Sequence, residues 1–333
     1  MTKKTFITIL QYVTFLGLGI AIIFYMFGKL SEQEKEEMLV AIKSVRTAYL
    51  FPILVIGFLS HWFRALRWKL MLEPLHIRPS TTNTTFAVMI GYLANLVLPR
   101  AGEVAKCTVL ARYEKVPADK MIGTIVAERI FDLICLVTVT AFAFTMEASV
   151  IGKFAEEKIG KISEKTHIFI ILIIAFILGI VSLGLIYRRY KETRAGRFIR
   201  GLGAGLQSII KMKKRWQFLG YTVLIWSMYL TLLIIGFRAM PATEHLSIMT
   251  GLVVLVFGSV GMITTQGGIG AYTYLVAETL RFYNIEEAHG QAFGWLSWGV
   301  QTGIVLILGV ATLILLPIYN RKPKHAQAGL DKE

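Results

Sequence analysis

Aspartate is scarce in this 333-residue chain: Asp119, Asp132 and Asp331 are the only ones, and no DxD pair occurs. The clustered carboxylates that hold Mg²⁺ for transfer chemistry are therefore missing. Cysteine is scarcer still. Cys107 and Cys135 are too few for a disulfide framework and are not spaced as metal ligands. There is no His-rich metal motif, no GxSxG nucleophile elbow and no TVGYG filter, which removes the usual signs of a metal site, a serine hydrolase or a potassium-type pore. Charge is thin as well, at 17% against 55% hydrophobic residues. A soluble domain of this length carries more charge and interrupts its apolar runs sooner.

What is present is long apolar sequence. Residues 5–28, 121–146, 166–187, 217–239 and 290–317 each cover the roughly 20 residues that a helix needs to cross the hydrocarbon core, and 48–64 is a shorter sixth. These runs predict an all-α polytopic membrane protein, a single integral membrane domain over residues 1–333. The first run follows Lys3 and Lys4, as in a signal peptide. It is too long for that role, and no small-residue cleavage site precedes Lys29, so it reads as a retained span.

The net charge of +15 raises the question of nucleic acid, and topology answers it. With both termini in the cytoplasm of a cell (inner) membrane, 64–82, 100–120, 188–216 and the tail 318–333 fall inside. The loop 29–47 and the loop that follows 146 fall outside. Residues 83–98 would leave five basic residues outside if they crossed fully. If they enter and turn back, those charges stay in the cytoplasm. The stretch 247–281 enters from the other side and breaks at TTQGGIGAY. On this threading the inside holds 25 basic and 7 acidic residues and the outside 10 and 12. The positive-inside tendency accounts for the basic excess, and no nucleic-acid partner is required.

The threading predicts six full transmembrane helices plus two re-entrant broken-helix hairpins. It also predicts an inverted repeat, with halves at 5–146 and 166–317. Sixteen residues separate Phe86 from Gly102, and sixteen separate Gly251 from Gly267. Transporters built this way place their sites where broken helices meet near the midplane. Between the halves, 147–190 supplies an external loop and the fourth span. In 191–216, Phe198, Ile199, Leu202, Leu206, Ile209 and Ile210 recur at helical spacing among basic residues. That segment reads either as an amphipathic helix on the inner leaflet or as a basic connector serving topology.

Three charged residues lie inside an apolar span. Counted from Lys120, Glu128 is about 12 Å deep in a core of about 30 Å. Charges at that depth face a bundle interior or a cavity. Glu128 and Asp132 share a helix face, and Arg129 is placed to pair with Asp132. They read either as a structural ion pair or as a gate or charge relay. In LVLPRAGEVAK, a helix ends at Pro99 and another begins near Gly102. A helix N-terminus suits a phosphate, and Arg100 and Lys106 add full charges. Glu103 fits the first turn, and Asn95 can bond freed backbone groups. In the second half, Gln266, Gly267, Gly268 and Gly270 offer backbone amides with little side chain in the way. A plain turn at either break is the alternative. Arg64 and Arg67 in HWFRALRW either touch lipid phosphates or snorkel at the inner interface, where Trp62, Trp68 and Trp216 would form an aromatic belt.

PRAGE and AERIFDL, with the later GGIG, resemble the transmembrane region of the lysylphosphatidylglycerol synthases and their stand-alone flippase-like relatives, over about residues 10–317. The resemblance implies lipid handling: a transporter or flippase moving an anionic or polyprenyl-phosphate-type lipid between leaflets, with membrane lipids as partners and neither cofactor nor metal. It tells against a transferase, because aminoacylation in that family belongs to a soluble C-terminal domain and this chain ends sixteen residues after its last span. The alternatives are a membrane enzyme acting on a polyprenyl-phosphate-linked lipid, or an accessory membrane subunit. Two departures stand out. Thr264, Thr265 and Gln266 stand where the family usually has proline before the glycines, and Thr273 stands where it often has an acid.

Overall fold

Where the apolar runs end, local signals cut the chain into helices. A computed structural model describes residues 24–25, 27–28, 31–97, 101–148 and 212–321. Most of the first run, the 166–187 span, nearly all of the 191–216 segment, Pro99 with Arg100, and the tail beyond Arg321 lie outside the described residues. Among the described residues all regular structure is helical. Helix α1 spans Glu32–Lys43 and opens with a capping box between Ser31 and Glu34. Helix α2 spans Leu50–Leu72 and ends at a Pro74-containing turn closed by His76 in the left-handed region. Then follow α3 (Thr81–Val97), α4 (Ala101–Glu114) and α5 (Ala118–Met146). The later set is α6 (Arg215–Ala239), α7 (Ile248–Thr264), α8 (Ala271–Arg281) and α9 (Glu287–Tyr319).

By length and apolar composition, Thr47–Leu75, Arg215–Ala239 and Glu287–Tyr319 can each cross a membrane. The helix begun by the 48–64 run continues past it: α2 is unbroken to Leu72, so Arg64 and Arg67 lie on a helix face. Their charges are matched by partners on α5, so no break is needed to carry them to water.

Helices α3 and α4 form an antiparallel hairpin. At its open end Glu114 accepts hydrogen bonds from the Ser80 amide, the Ser80 hydroxyl and the Asn83 amide group at 3.0, 2.8 and 2.7 Å, which brings both ends of the hairpin to one side. Helices α7 and α8 form a second hairpin. Its glycines, Gly258 and Gly261, lie against Tyr272, and Leu246 and Leu280 share a core cluster at its open end. Helices α2 and α6 run antiparallel: Lys214 pairs with Glu73 at one end (2.7 Å), and the Arg46 amide bonds to the Ala239 carbonyl at the other (2.9 Å). Helix α3 packs on α9, with Leu93 against Gly309, while α7 packs on α5, with Val253 and Val256 against Ala143.

The chain ends of these helices therefore sort to two ends of the bundle. Glu73, Glu114, Lys214 and Asn320 gather at one, where Asn83 and Asn320 exchange amide hydrogen bonds. Helix α1, Arg46 and Glu244 gather at the other, with Arg46 and Glu244 paired at 2.7 Å. Between the ends, large apolar side chains such as Phe51, Leu133, Val223 and Ile307 point outward. In water this surface would drive aggregation, whereas in lipid it is the expected exterior.

Candidate functional site

The hairpin tips and three helix faces enclose one charged cluster. On α2, Arg64, Arg67 and Trp68 are three and four residues apart and so project together. On α5, Glu128 and Asp132 are one turn apart, and on α4 Glu103 and Lys106 are three apart. Arg67 is fully buried and shares one guanidinium nitrogen between Asp132 at 2.7 Å and Glu128 at 3.4 Å. Lys106 reaches Glu128 at 2.8 Å, and its ammonium lies 4.4 Å from the Trp68 ring centroid. Trp68 is fixed in turn by donating to the Thr124 hydroxyl at 2.9 Å. Arg64 stands 3.6 Å from Asp132 and 3.9 Å from Glu128, and it donates to the hydroxyls of Tyr229 and Tyr92. At the rim, Arg129 pairs with Glu103 at 2.9 Å and approaches Asp132 at 3.6 Å. The side chains of Arg129 and Glu103 are 45% and 35% exposed while that of Glu128 is 3%, so the cluster is open on the side of Arg129 and Glu103.

Four cations thus meet three carboxylates among the described residues. Buried ions are stable only when partnered, and removing one partner from such a pair costs about 3–5 kcal/mol. The surplus is one positive charge.

At the tips, Asn95 accepts from the Gly102 amide through its side chain (2.8 Å) and from Gln266 Nε2 through its backbone carbonyl (2.6 Å). The second bond joins the two hairpins. The far tip is a short 3₁₀ turn, Gln266–Gly268, leading to Gly270 at the start of α8; Gly267, Gly268 and Gly270 all have φ between 60° and 74°, a region only glycine adopts freely. Trp298 on α9 holds it by donating to the Gly267 carbonyl at 2.8 Å.

A narrow cleft lies between these groups, lined by Arg64, Val88, Tyr92, Asn95, Gly102, Glu103, Lys106, Glu128 and Arg129, with room inside for little more than a water molecule. Asn95, Glu103, Lys106, Glu128 and Arg129 are therefore brought together, as is Arg64, while Arg67 and Asp132 support them from behind. Gln266 touches Asn95 but, with Gly267, Gly268 and Gly270, does not line the cleft. Arg100 lies outside the described residues. One expectation changes: Trp68 is not in an interfacial belt but fully buried beneath Lys106. The expected bond from Asn95 to a freed backbone group is present, to the Gly102 amide. Tyr92 and Tyr229 were not anticipated. Tyr92 lies three residues before Asn95, one helical turn away, and that spacing was the available signal. Among the described residues, no three His, Cys, Asp or Glu side chains converge as metal ligands do.

The profile of the lysylphosphatidylglycerol synthase TM region matches residues 12–309. The chain belongs to that family. No curated protein and no solved structure matches it. For this member of the lysylphosphatidylglycerol synthase TM family, the match spans every helix of the charged cluster and both tips. It supports a membrane protein connected with lipid modification or transport.

Proposed function

We propose that this protein moves a phosphate-bearing lipid between the leaflets of the cell membrane, without itself catalysing a covalent step. The observation that carries the reading is the convergence of Arg64, Lys106 and Arg129 on one cleft, backed by Arg67, inside an apolar bundle at the point where two hairpin tips touch. A cationic surplus within a membrane region suits an anion that arrives attached to a lipid. The phosphate would enter past Arg129 and Glu103, exchange onto Lys106 and its neighbours, and leave the acyl chains against the apolar exterior.

In this reading the two hairpins are re-entrant from opposite sides, and the halves are inverted relative to each other. Several contacts support it: α2 and α6 run antiparallel, α3 packs on α9 while α7 packs on α5, and the tips meet end to end. The end bearing Glu73, Glu114 and Lys214 would face the cytoplasm, because Lys69, Arg78, Arg112, Lys115 and Lys120 belong to it.

The test is lipid translocation in proteoliposomes containing fluorescent phosphatidylglycerol, read by quenching of the outer leaflet. The wild-type chain should accelerate equilibration, and Lys106→Ala should remove most of that gain, roughly tenfold or more. Folded protein that leaves the rate at that of empty liposomes would end the proposal.

A further inference from the structure

Glu128 is reached by more cations than any other carboxylate of the cluster. Lys106 lies 2.8 Å from Oε2, while Arg67, Arg64 and Arg129 lie 3.4, 3.9 and 4.0 Å from Oε1. Among the described residues, Asp132 is approached by three of these cations but not by Lys106, and Glu103 by Arg129 alone. Glu128 is also the most deeply buried of the three acids, whereas Glu103 stands at the rim. A carboxylate and a phosphate use the same short, charge-assisted bonds from lysine and arginine. The cleft beside Glu128 has water-sized room, so a phosphate cannot be added without moving something. From this geometry we propose that the Glu128 carboxylate is an internal stand-in for the lipid phosphate, holding the anion position at rest and yielding it to the substrate. The inference rests on the function proposed above.

The exchange does not leave Glu128 bare. Its Oε1 sits beside the nitrogen of Arg67 that also serves Asp132, so Glu128 can keep that partner while Oε2 gives up Lys106. The incoming phosphate takes Lys106, with Arg129 at the mouth. A phosphodiester monoanion would then match the surplus positive charge among the described residues. The stand-in has a second consequence. With no substrate bound, Lys106 keeps a carboxylate partner and remains seated over Trp68 rather than unpaired in a low-dielectric interior.

The experiment compares binding by wild type, Glu128→Asp, Glu128→Gln and Lys106→Ala, each as purified full-length chain in detergent micelles. Dioctanoyl phosphatidylglycerol, inorganic phosphate and phosphate-free dioctanoylglycerol are titrated into each. Glu128→Asp keeps the charge but is one methylene too short to hold Lys106, so it should fold and bind dioctanoyl phosphatidylglycerol roughly tenfold more tightly than wild type. Glu128→Gln should gain at least as much where it folds. Lys106→Ala should lose binding, and dioctanoylglycerol should bind no variant better than another. If wild type binds, Lys106→Ala does not, and Glu128→Asp binds equally or more weakly, the stand-in is overturned while the lipid reading survives. A gain confined to inorganic phosphate keeps the stand-in and makes the ligand a free phosphate, so the lipid reading falls. No binding of either phosphate probe by wild type removes both.

Discussion

The two hairpins share an outline and differ in what holds them. The α7–α8 hairpin is seated by glycine. A Cβ on Gly261 would stand 2.6 Å from the Tyr272 Cα, and one on Gly294 of α9 would stand 3.0 Å from the Thr273 Cα, so α8 lies on α9 at backbone distance. The α3–α4 hairpin is equally close within itself, where Gly91 and Gly102 meet backbone to backbone. Toward α5, however, it presents Lys106 and Glu103, whose long side chains meet Glu128 and Arg129 as ion pairs. Facing positions on α9 carry Ser297, Trp298 and Gln301, which bond to Tyr272 and the Gly267 carbonyl without a charge. Close apolar packing resists displacement because every contact is lost at once. Ion pairs can be exchanged for others of the same kind. The comparison assigns the scaffold to the second hairpin and the exchangeable contacts to the first.

The largest effect is expected at Gly102, which lies within the first hairpin and not on its charged face. A Cβ there collides with the Gly91 carbonyl and presses on the Asn95 side chain, and no flexible atom can absorb the shift. Gly102→Ala should therefore cost at least about 3 kcal/mol, the upper range for overpacking. Thermal unfolding of purified protein measures this, with Gly299→Ala as control, because a Cβ on Gly299 meets nothing within 4 Å. A normal midpoint for Gly102→Ala would mean that the first hairpin is loose throughout, and the contrast with the second would have to be redrawn.

Next in size is the cost of charge itself. Asp132→Asn leaves Arg67 fully buried with Glu128, at 3.4 Å, as its remaining carboxylate among the described residues, and about 3 kcal/mol of stability should go with it. On α9, Gln301→Leu removes one 3.5 Å contact from an exposed side chain and should change stability by less than about 0.5 kcal/mol. Equal losses in the two variants would erase the distinction between the ion-paired contacts of the first hairpin and the neutral contacts on α9.

These pairs also mark what could be read from residues alone. The apolar runs, the glycine break at 265–270 and the deep Glu128–Arg129–Asp132 triplet were legible, because membrane helices announce themselves by length and a buried charge by its rarity. The pairing of Arg129 with Asp132 followed from spacing and is present at 3.6 Å. The role of α2 was not legible. Basic residues that follow an apolar run look like an inner-leaflet flank, and Arg64 and Arg67 fit that pattern until their carboxylates, more than sixty residues away on α5, are in view. Trp68 failed for a similar reason. Only the tertiary arrangement places Lys106 over its ring.

A smaller effect belongs to the bond between the tips. Gln266→Ala removes the contact to the Asn95 carbonyl, and Asn95→Ala removes the cap on the Gly102 amide; each should cost about 1 kcal/mol. The Asn95 carbonyl survives Asn95→Ala, so the double variant should be additive to within about 0.5 kcal/mol. Coupling beyond that would mean that the tips move as one unit, and the second hairpin would lose its standing as a fixed scaffold.

The smallest effect is expected at Thr273. Its side chain is fully buried in the first turn of α8 against Gly294, and its hydroxyl has no hydrogen-bond partner among the described residues. An unmet buried hydroxyl opposes folding, and valine replaces it with a methyl group of the same shape. Thr273→Val should thus be neutral or stabilising by up to about 1 kcal/mol, and lipid movement in proteoliposomes should match wild type. The same substitution tests function and packing separately. If stability holds while lipid movement is lost, the hydroxyl contributes to the transport cycle, and the glycine-seated hairpin is more than a scaffold.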